Sequence, residues 1–164
     1  MKKILIVGAG RSASSLIQYL LDRSVENNWQ VTVADISLDL AEQKTGGHPN
    51  AKAVVFDATN DTKRRELVNG NNVVVSMLPP SLHMLVANDC LELCIHLATA
   101  SYVSRDMEAL SGQAAQKGLI FLNEMGLDPG IDHMSAMAII DRIRQEGGKL
   151  KSFRSYCWGL VAPE

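Results

Sequence analysis

Cysteine is scarce: three in 164 residues, too few for a disulfide framework. Charge of one sign is lacking too, since 16 Lys and Arg face 18 Asp and Glu for a formal net charge of -2. There is no electrostatic case for a nucleic-acid or anionic-membrane partner, and a small molecule is the expected ligand. Long hydrophobic runs are missing from the N-terminus. After Met1-Lys2-Lys3, only Ile4 to Val7 precede Gly8, too short a run for a signal peptide or a membrane span. These absences predict a cytoplasmic protein. No internal repeat or low-complexity segment interrupts the chain. What is present is 46% hydrophobic and 21% charged residues, the balance of one soluble globular domain. A chain of this length buries roughly two-thirds of its unfolded surface, so a sizeable core is available.

The most informative stretch is Ile4-Leu5-Ile6-Val7-Gly8-Ala9-Gly10-Arg11-Ser12-Ala13, where an apolar run breaks into glycines and then into a helical pattern. It predicts the first strand, turn and helix of a dinucleotide-binding fold. Gly8 allows the tight turn, Gly10 lets backbone approach a pyrophosphate, and Ala13 is the small residue where helix packs on strand. The unpaired N–H groups at the start of that helix then face the phosphates. Three small residues at this spacing also suit a tight strand-to-helix turn with no ligand. Their position between strand and helix favours the cofactor.

The chain then alternates. Ala13, Leu16, Ile17, Leu20 and Leu21 recur at helical spacing. Val31 to Asp35 is a β-rich run ending in an acid, where the fold expects a ribose-binding carboxylate; Asp35 or Ser37 could also cap a helix from Leu38 to Lys44, but the cofactor role is favoured for Asp35 and a Ser37 cap is compatible with it. Ala53 to Asp57 predicts a third strand, with Asp57 either touching adenine or capping a helix over 61–68. Val73 to Ser76 suits a parallel strand buried on both faces. A helix is predicted from Ser81 to about His96; its Cys90 and Cys94 fall in the apolar stripe, so they read as core and no metal site is predicted. His48 and His83 read as surface residues. Leu97 to Ala100 and Leu119 to Leu122 predict two more strands around a helix from Arg105 to Gln116. The repeated β-α alternation is the signature of an α/β, Rossmann-type doubly wound parallel sheet.

A second chemical stretch is Asn123-Glu124-Met125-Gly126-Leu127-Asp128-Pro129-Gly130-Ile131-Asp132-His133. Asp128 is a suitable N-cap and Pro129 a suitable first residue for a helix to about Glu146. That leaves Glu124, Asp132 and His133 without a role. The loop begins at the C-terminal end of a strand, so it should face the same crevice as Ser76 and Thr99.

Residues 123–134 (NEMGLDPGIDHM), 99–104 (TASYVS) and 147–156 (GGKLKSFRSY), with Cys157 to Glu164, resemble the saccharopine dehydrogenase family, in particular its L-glutamate-forming branch. The resemblance runs over the whole chain, and the DPGIDH motif is far more specific than the glycine turn. It implies an oxidoreductase that condenses 2-aminoadipate 6-semialdehyde with glutamate and reduces the imine to saccharopine with a nicotinamide nucleotide, or runs that reaction backwards. It implies a nucleotide-binding domain over residues 1–147, with 148–164 starting the crossover into a second domain that closes over substrate. On this reading the chain is truncated before that domain, the fragment alone is inactive, and the full-length protein is a homodimer. Related readings are a carboxynorspermidine dehydrogenase-like enzyme, or a nucleotide-binding or sensor module without chemistry.

By the same resemblance, the cofactor contacts are Gly8, Ala9, Gly10, Arg11, Ser12, Ala13, Asp35, Ile36, Asp57, Ala58, Ser76, Thr99, Ala100, Leu127 and Asp128. Ser101 and Tyr102 meet the amino-acid substrate, and Tyr102, Asp128 and Cys157 are the candidates for proton transfer. Each of those three also has a structural explanation: orienting substrate, capping a helix, or filling a strand. NADP-preferring members carry an arginine where this chain has Ile36, and a carboxylate at Asp35 repels a 2'-phosphate. NAD is therefore the expected cofactor, with NADP second. Trp158 and Val161 stand where the family has glycine and proline, which puts the exact substrate in question.

Overall fold

The computed structural model describes residues 1–156. Six strands form one parallel sheet: β1 (Lys2–Val7), β2 (Trp29–Asp35), β3 (Ala51–Val55), β4 (Val73–Ser76), β5 (His96–Thr99) and β6 (Phe121–Leu122), in the spatial order β3-β2-β1-β4-β5-β6. This is the strand order of a doubly wound dinucleotide-binding sheet. The helices between them are α1 (Ser14–Asp22), α2 (Leu38–Thr45), α3 (Asp61–Val68), α4 (His83–Glu92), α5 (Arg105–Ala109) and α6 (Ser111–Gln116), and α7 (Ile131–Gln145) follows β6.

The two-residue period of β1 divides the core. Ile4 and Ile6 join Ala13, Ile17, Leu21, Val31, Val33 and Ala41 on the α1 and α2 side. Leu5 and Val7 join Val74, Val86, Ala87, Cys90 and Leu97 on the α3 and α4 side. A strand covered on both faces must be apolar at every position, which is why Ile4 to Val7 reads as an unbroken run. Each such side chain, fully buried, contributes about 1.5–3 kcal/mol of transfer free energy.

Chain leaving β1 turns to one face and chain leaving β4 turns to the other, so a crevice opens between their C-terminal ends. Gly8 sits at its floor with φ 101°, and a Cβ there would lie 2.8 Å from the Met77 carbonyl oxygen. Only glycine permits both that backbone and that approach.

Several boundaries differ from expectation. β3 ends at Val55 and Phe56 turns into the core, because the ladder with β2 stops at the pair Asp35 and Val55. The helix expected over 105–116 breaks at Leu110 into α5 and α6. α4 ends at Glu92, so Cys90 is buried but Cys94 lies beyond the helix, exposed at φ 58°. α7 begins at Ile131 and Asp128 is not its cap: Gly126 and Gly130 bridge, and the Gly126 amide donates to the Pro129 carbonyl, closing residues 126–130 into a loop ahead of the helix.

Candidate functional site

The glycine loop is braced from β2. The Asp35 carboxylate accepts hydrogen bonds from the Ala9 amide at 2.7 Å and the Ser37 amide at 3.0 Å, while the Gly8 amide donates to the Ala34 carbonyl at 2.8 Å. Gly10 opens a single 3-10 turn, Arg11–Ala13, that leads into α1, and no side chain caps that turn. Among the described residues, a Cβ on Gly10 would meet nothing within 4 Å. Arg11 and Ser12 are exposed, Ala13 is buried against the sheet, and Ile36 stands 76% exposed. An open loop of backbone amides before a helix, with a cationic Arg11 beside it, fits a dinucleotide's phosphates.

Farther along the same edge, Asp57 turns the chain after β3. Its carboxylate accepts from the Thr59 amide at 2.9 Å and the Thr59 hydroxyl at 2.7 Å, which hold it below the ordinary carboxylate range. Asn60, not Asp57, caps α3 by accepting from the Lys63 amide at 3.1 Å. Ser37 caps α2, its side chain accepting from the Leu40 amide. Ala58 is buried beside this turn.

At the ends of β4 and β5 a cavity of about 870 Å³ opens, lined by Ser12 and Leu16 from the first turn and α1, Thr99 from β5 and Ala100 just after it, and Leu127 and Asp128 from the loop before α7. That loop is tied to β5: the Met125 amide donates to the Thr99 carbonyl and the Glu124 amide to the Ser101 carbonyl. Glu124, unassigned from sequence, accepts from the Val103 amide through its carboxylate at 3.3 Å. A neighbouring cavity of about 440 Å³ is lined by Ser101, Tyr102, Asp128 and Pro129. At its rim the Tyr102 phenol donates to the Asp128 carboxylate at 2.7 Å. Asp132 accepts from the Gly130 amide and pairs with His133 at 2.7 Å. Partial burial opposes ionisation of Asp132, but these hydrogen bonds prevail and lower its pKa, while the same pairing raises that of His133. Ligand atoms of Asp128, Asp132 and His133 come within 4.8 Å of one another.

His83 departs furthest from expectation. It is 5% exposed, with Nδ1 at 2.8 Å from the Ser76 hydroxyl and Nε2 at 2.7 Å from that of Ser101. Burial pushes its pKa below the usual histidine value, keeping the ring neutral. The one sequence signal was its place at a helix start just beyond Pro79-Pro80, on the edge where ligands bind. Cys157, expected beside these residues, lies outside the described residues.

The strand order, the glycine loop and the crevice at the switch point define a dinucleotide-binding domain of the Rossmann class. Residues 4–122 match the family model for the saccharopine dehydrogenase NADP binding domain, and residues 126–164 match that for the saccharopine dehydrogenase C-terminal domain. The chain belongs to the saccharopine dehydrogenase family. It is 39% identical over 164 residues to saccharopine dehydrogenase [NADP(+), L-glutamate-forming] of Schizosaccharomyces pombe, covering 100% of this chain and 36% of that one. It is 37% identical over 163 residues to the Saccharomyces cerevisiae protein of that name, with 99% and 36% covered. The apo saccharopine dehydrogenase (L-Glu forming) structure from S. cerevisiae superposes with a TM-score of 0.82 at 33% identity, covering 93% of this chain and 33% of that one. The chain thus spans about a third of the length of these relatives.

These matches correct the cofactor expectation. The matching domain model is an NADP-binding one and the two yeast relatives carry NADP(+) in their names, which points to NADP rather than NAD. The geometry gives Asp35 a second role: its two oxygens accept from the Ala9 and Ser37 amides. The carboxylate at the end of β2 thus braces the protein's own loop, a role that its place in the sequence does not distinguish from contact with a ribose. Among the described residues, no helix is long and apolar enough to cross a membrane.

Proposed function

We propose that this chain is the NADP-binding part of an oxidoreductase that interconverts saccharopine with 2-aminoadipate 6-semialdehyde and glutamate. The observation that carries the reading is the Tyr102–Asp128 pair, joined at 2.7 Å where the two cavities meet on the edge that also carries the glycine loop. In this reading residues 8–13 hold the pyrophosphate, Asp35 and Ile36 flank the adenosine ribose, and Asp57 and Ala58 flank the adenine. Ser76, Thr99, Ala100, Leu127 and Asp128 surround the nicotinamide end.

The bound nucleotide accepts or supplies the hydride. The rest falls to side chains. Oxidising a secondary amine to an imine takes a hydride from carbon and a proton from nitrogen; adding water and releasing glutamate moves further protons. Asp128 is an acceptor for such a proton, and Tyr102, hydrogen-bonded to it, is a donor that returns one. Ser101 orients the substrate on the same wall, and Cys157 is the third proposed proton-transfer group.

The division into 1–147 and 148–164, a cytoplasmic location and a full-length homodimer belong to the same proposal. The deciding experiment is saccharopine-dependent reduction of NADP+ by the full-length protein. Reduction with carboxynorspermidine but not saccharopine would move the assignment to that related activity. Tight NADP+ binding with neither substrate turned over would leave a binding module.

A further inference from the structure

Behind the proposed substrate mouth lies a buried histidine that the proton-transfer scheme does not use. His83 opens α4 and bridges three hydroxyls: Ser76 at Nδ1, 2.8 Å away, and Ser101 and Thr99 at Nε2, 2.7 and 3.3 Å away. The neutral ring has two tautomers, and they present Ser101 in opposite senses. With the proton on Nδ1, Ser101 donates to Nε2 and turns only lone pairs toward the cavity. With the proton on Nε2, Ser101 accepts from the ring and its own O–H is left to donate.

The buried hydroxyls decide between them. Ser76 is 1% exposed, and among the described residues the only hydrogen-bond partner of its hydroxyl is His83 Nδ1. A buried O–H without an acceptor is costly, so Ser76 donates and Nδ1 carries no proton. Thr99, 2% exposed, makes the opposite demand at Nε2, but at 3.3 Å its contact is the weaker one and its oxygen already accepts from the Ser101 amide, so the 2.8 Å contact of Ser76 decides. The ring therefore holds its proton on Nε2 and donates it to Ser101. Ser101 then offers an O–H to the cavity it shares with Tyr102 and Asp128. An outward O–H suits an anion.

We infer that His83 is a positioning residue which, as the Nε2–H tautomer, fixes Ser101 as a hydrogen-bond donor toward a carboxylate of the amino-acid substrate. This rests on the proposed saccharopine reading, whose substrate carries carboxylates on both amino-acid halves. On the same wall the Asp128 carboxylate only accepts, and the Tyr102 hydroxyl is already donated to it.

Two measurements test it. In the NADP+-bound protein labelled with 15N-histidine, the Nδ1 of His83 should resonate as a bare, pyridine-type nitrogen and Nε2 as a protonated one. In saccharopine oxidation by the full-length protein, His83→Leu should raise the KM for saccharopine about tenfold, the loss of one hydrogen bond to a charged group, and by more than it changes NADP+ affinity. His83→Gln, which keeps an N–H near the position of Nε2, should recover most of that loss. A proton on Nδ1, or a Leu variant with unchanged KM for saccharopine, overturns the inference. Should the leucine variant fail to fold, the nitrogen spectrum of the unaltered protein still decides the tautomer. Absence of saccharopine turnover in the unaltered protein would instead sink the functional reading, and with it the carboxylate as the group that Ser101 meets.

Discussion

The Asp35 carboxylate accepts the Ala9 amide at 2.7 Å and so holds the glycine loop from the tip of β2. This contact and the repulsion of a 2'-phosphate make opposite predictions. If bracing dominates, Asp35→Ala loosens the loop and weakens NADPH binding by about tenfold, the effect of one charge-assisted hydrogen bond. If repulsion dominates, the same variant binds NADPH more tightly. Fluorescence titration with NADPH separates the two, and weaker binding is the expected result.

The Tyr102–Asp128 pair predicts a separation of binding from turnover. Asp128→Asn keeps the size of the side chain but removes the proton acceptor, and should lower kcat for saccharopine oxidation by about a hundredfold or more. Tyr102→Phe leaves the carboxylate without its phenol and should lower kcat by about tenfold. NADP+ affinity should change little in the phenylalanine variant, because Tyr102 lines the second cavity and not the larger one. Full kcat in the asparagine variant would remove Asp128 from proton transfer.

A buried ion pair locks α3 to α4. Arg64 Nε donates to the Asp89 carboxylate at 2.6 Å, and its Nη1 donates to the Ala58 carbonyl at 2.7 Å, with the two residues 5% and 3% exposed. Removing Asp89 leaves the buried Arg64 with the Ala58 carbonyl and the solvent-exposed Asp61, at 2.8 Å, as partners, so Asp89→Ala should cost about 3 kcal/mol of unfolding free energy, the low end for a broken buried pair. Replacing both residues by apolar side chains should cost less than the single change. Urea denaturation of the single and double variants reads this directly, and equal losses would place the energy in packing instead of in the stranded guanidinium.

How far the sequence revealed this arrangement depends on the range of the interactions. Local features were legible: the unbroken apolar run of β1, the glycine turn, the Ser37 cap, and the placement of Ser76 and Thr99 at the sheet edge. The pairs that give the site its chemistry were not. Tyr102 and Asp128 are 26 residues apart, and Arg64 and Asp89 are 25 apart, so no helical or strand period links them. Asp128-Pro129 has the composition of a helix start, yet the Gly126–Gly130 bridge closes the loop and moves that start to Ile131. At Gly130 a Cβ would lie 2.1 Å from the Gly126 carbonyl oxygen, so the bridge depends on that glycine. His83 looked like a surface residue because polarity along the chain does not tell which hydroxyls will converge on a ring from other strands.

The last prediction concerns pH. Its hydrogen bond with Asp132 raises the pKa of His133 above the ordinary histidine value, with the charge of Asp132 adding to the effect. The folded protein then holds that proton more tightly than the unfolded chain. The stabilisation is full below the unfolded pKa, about 6.5, and is lost as pH rises through the elevated folded value. Asp132 has the opposite sign: its lowered pKa gives a contribution present above the normal carboxylate range and lost as pH falls through the depressed value. The pair therefore stabilises most between these limits. Both groups are at the surface, so the effect should be small and weaken with salt. Thermal melts in low salt should show the unaltered protein losing an increment of Tm from about pH 6 to 8, where histidine titrates. His133→Gln should lack that increment. Parallel curves for the two proteins would show that the Asp132–His133 contact is too solvated to matter.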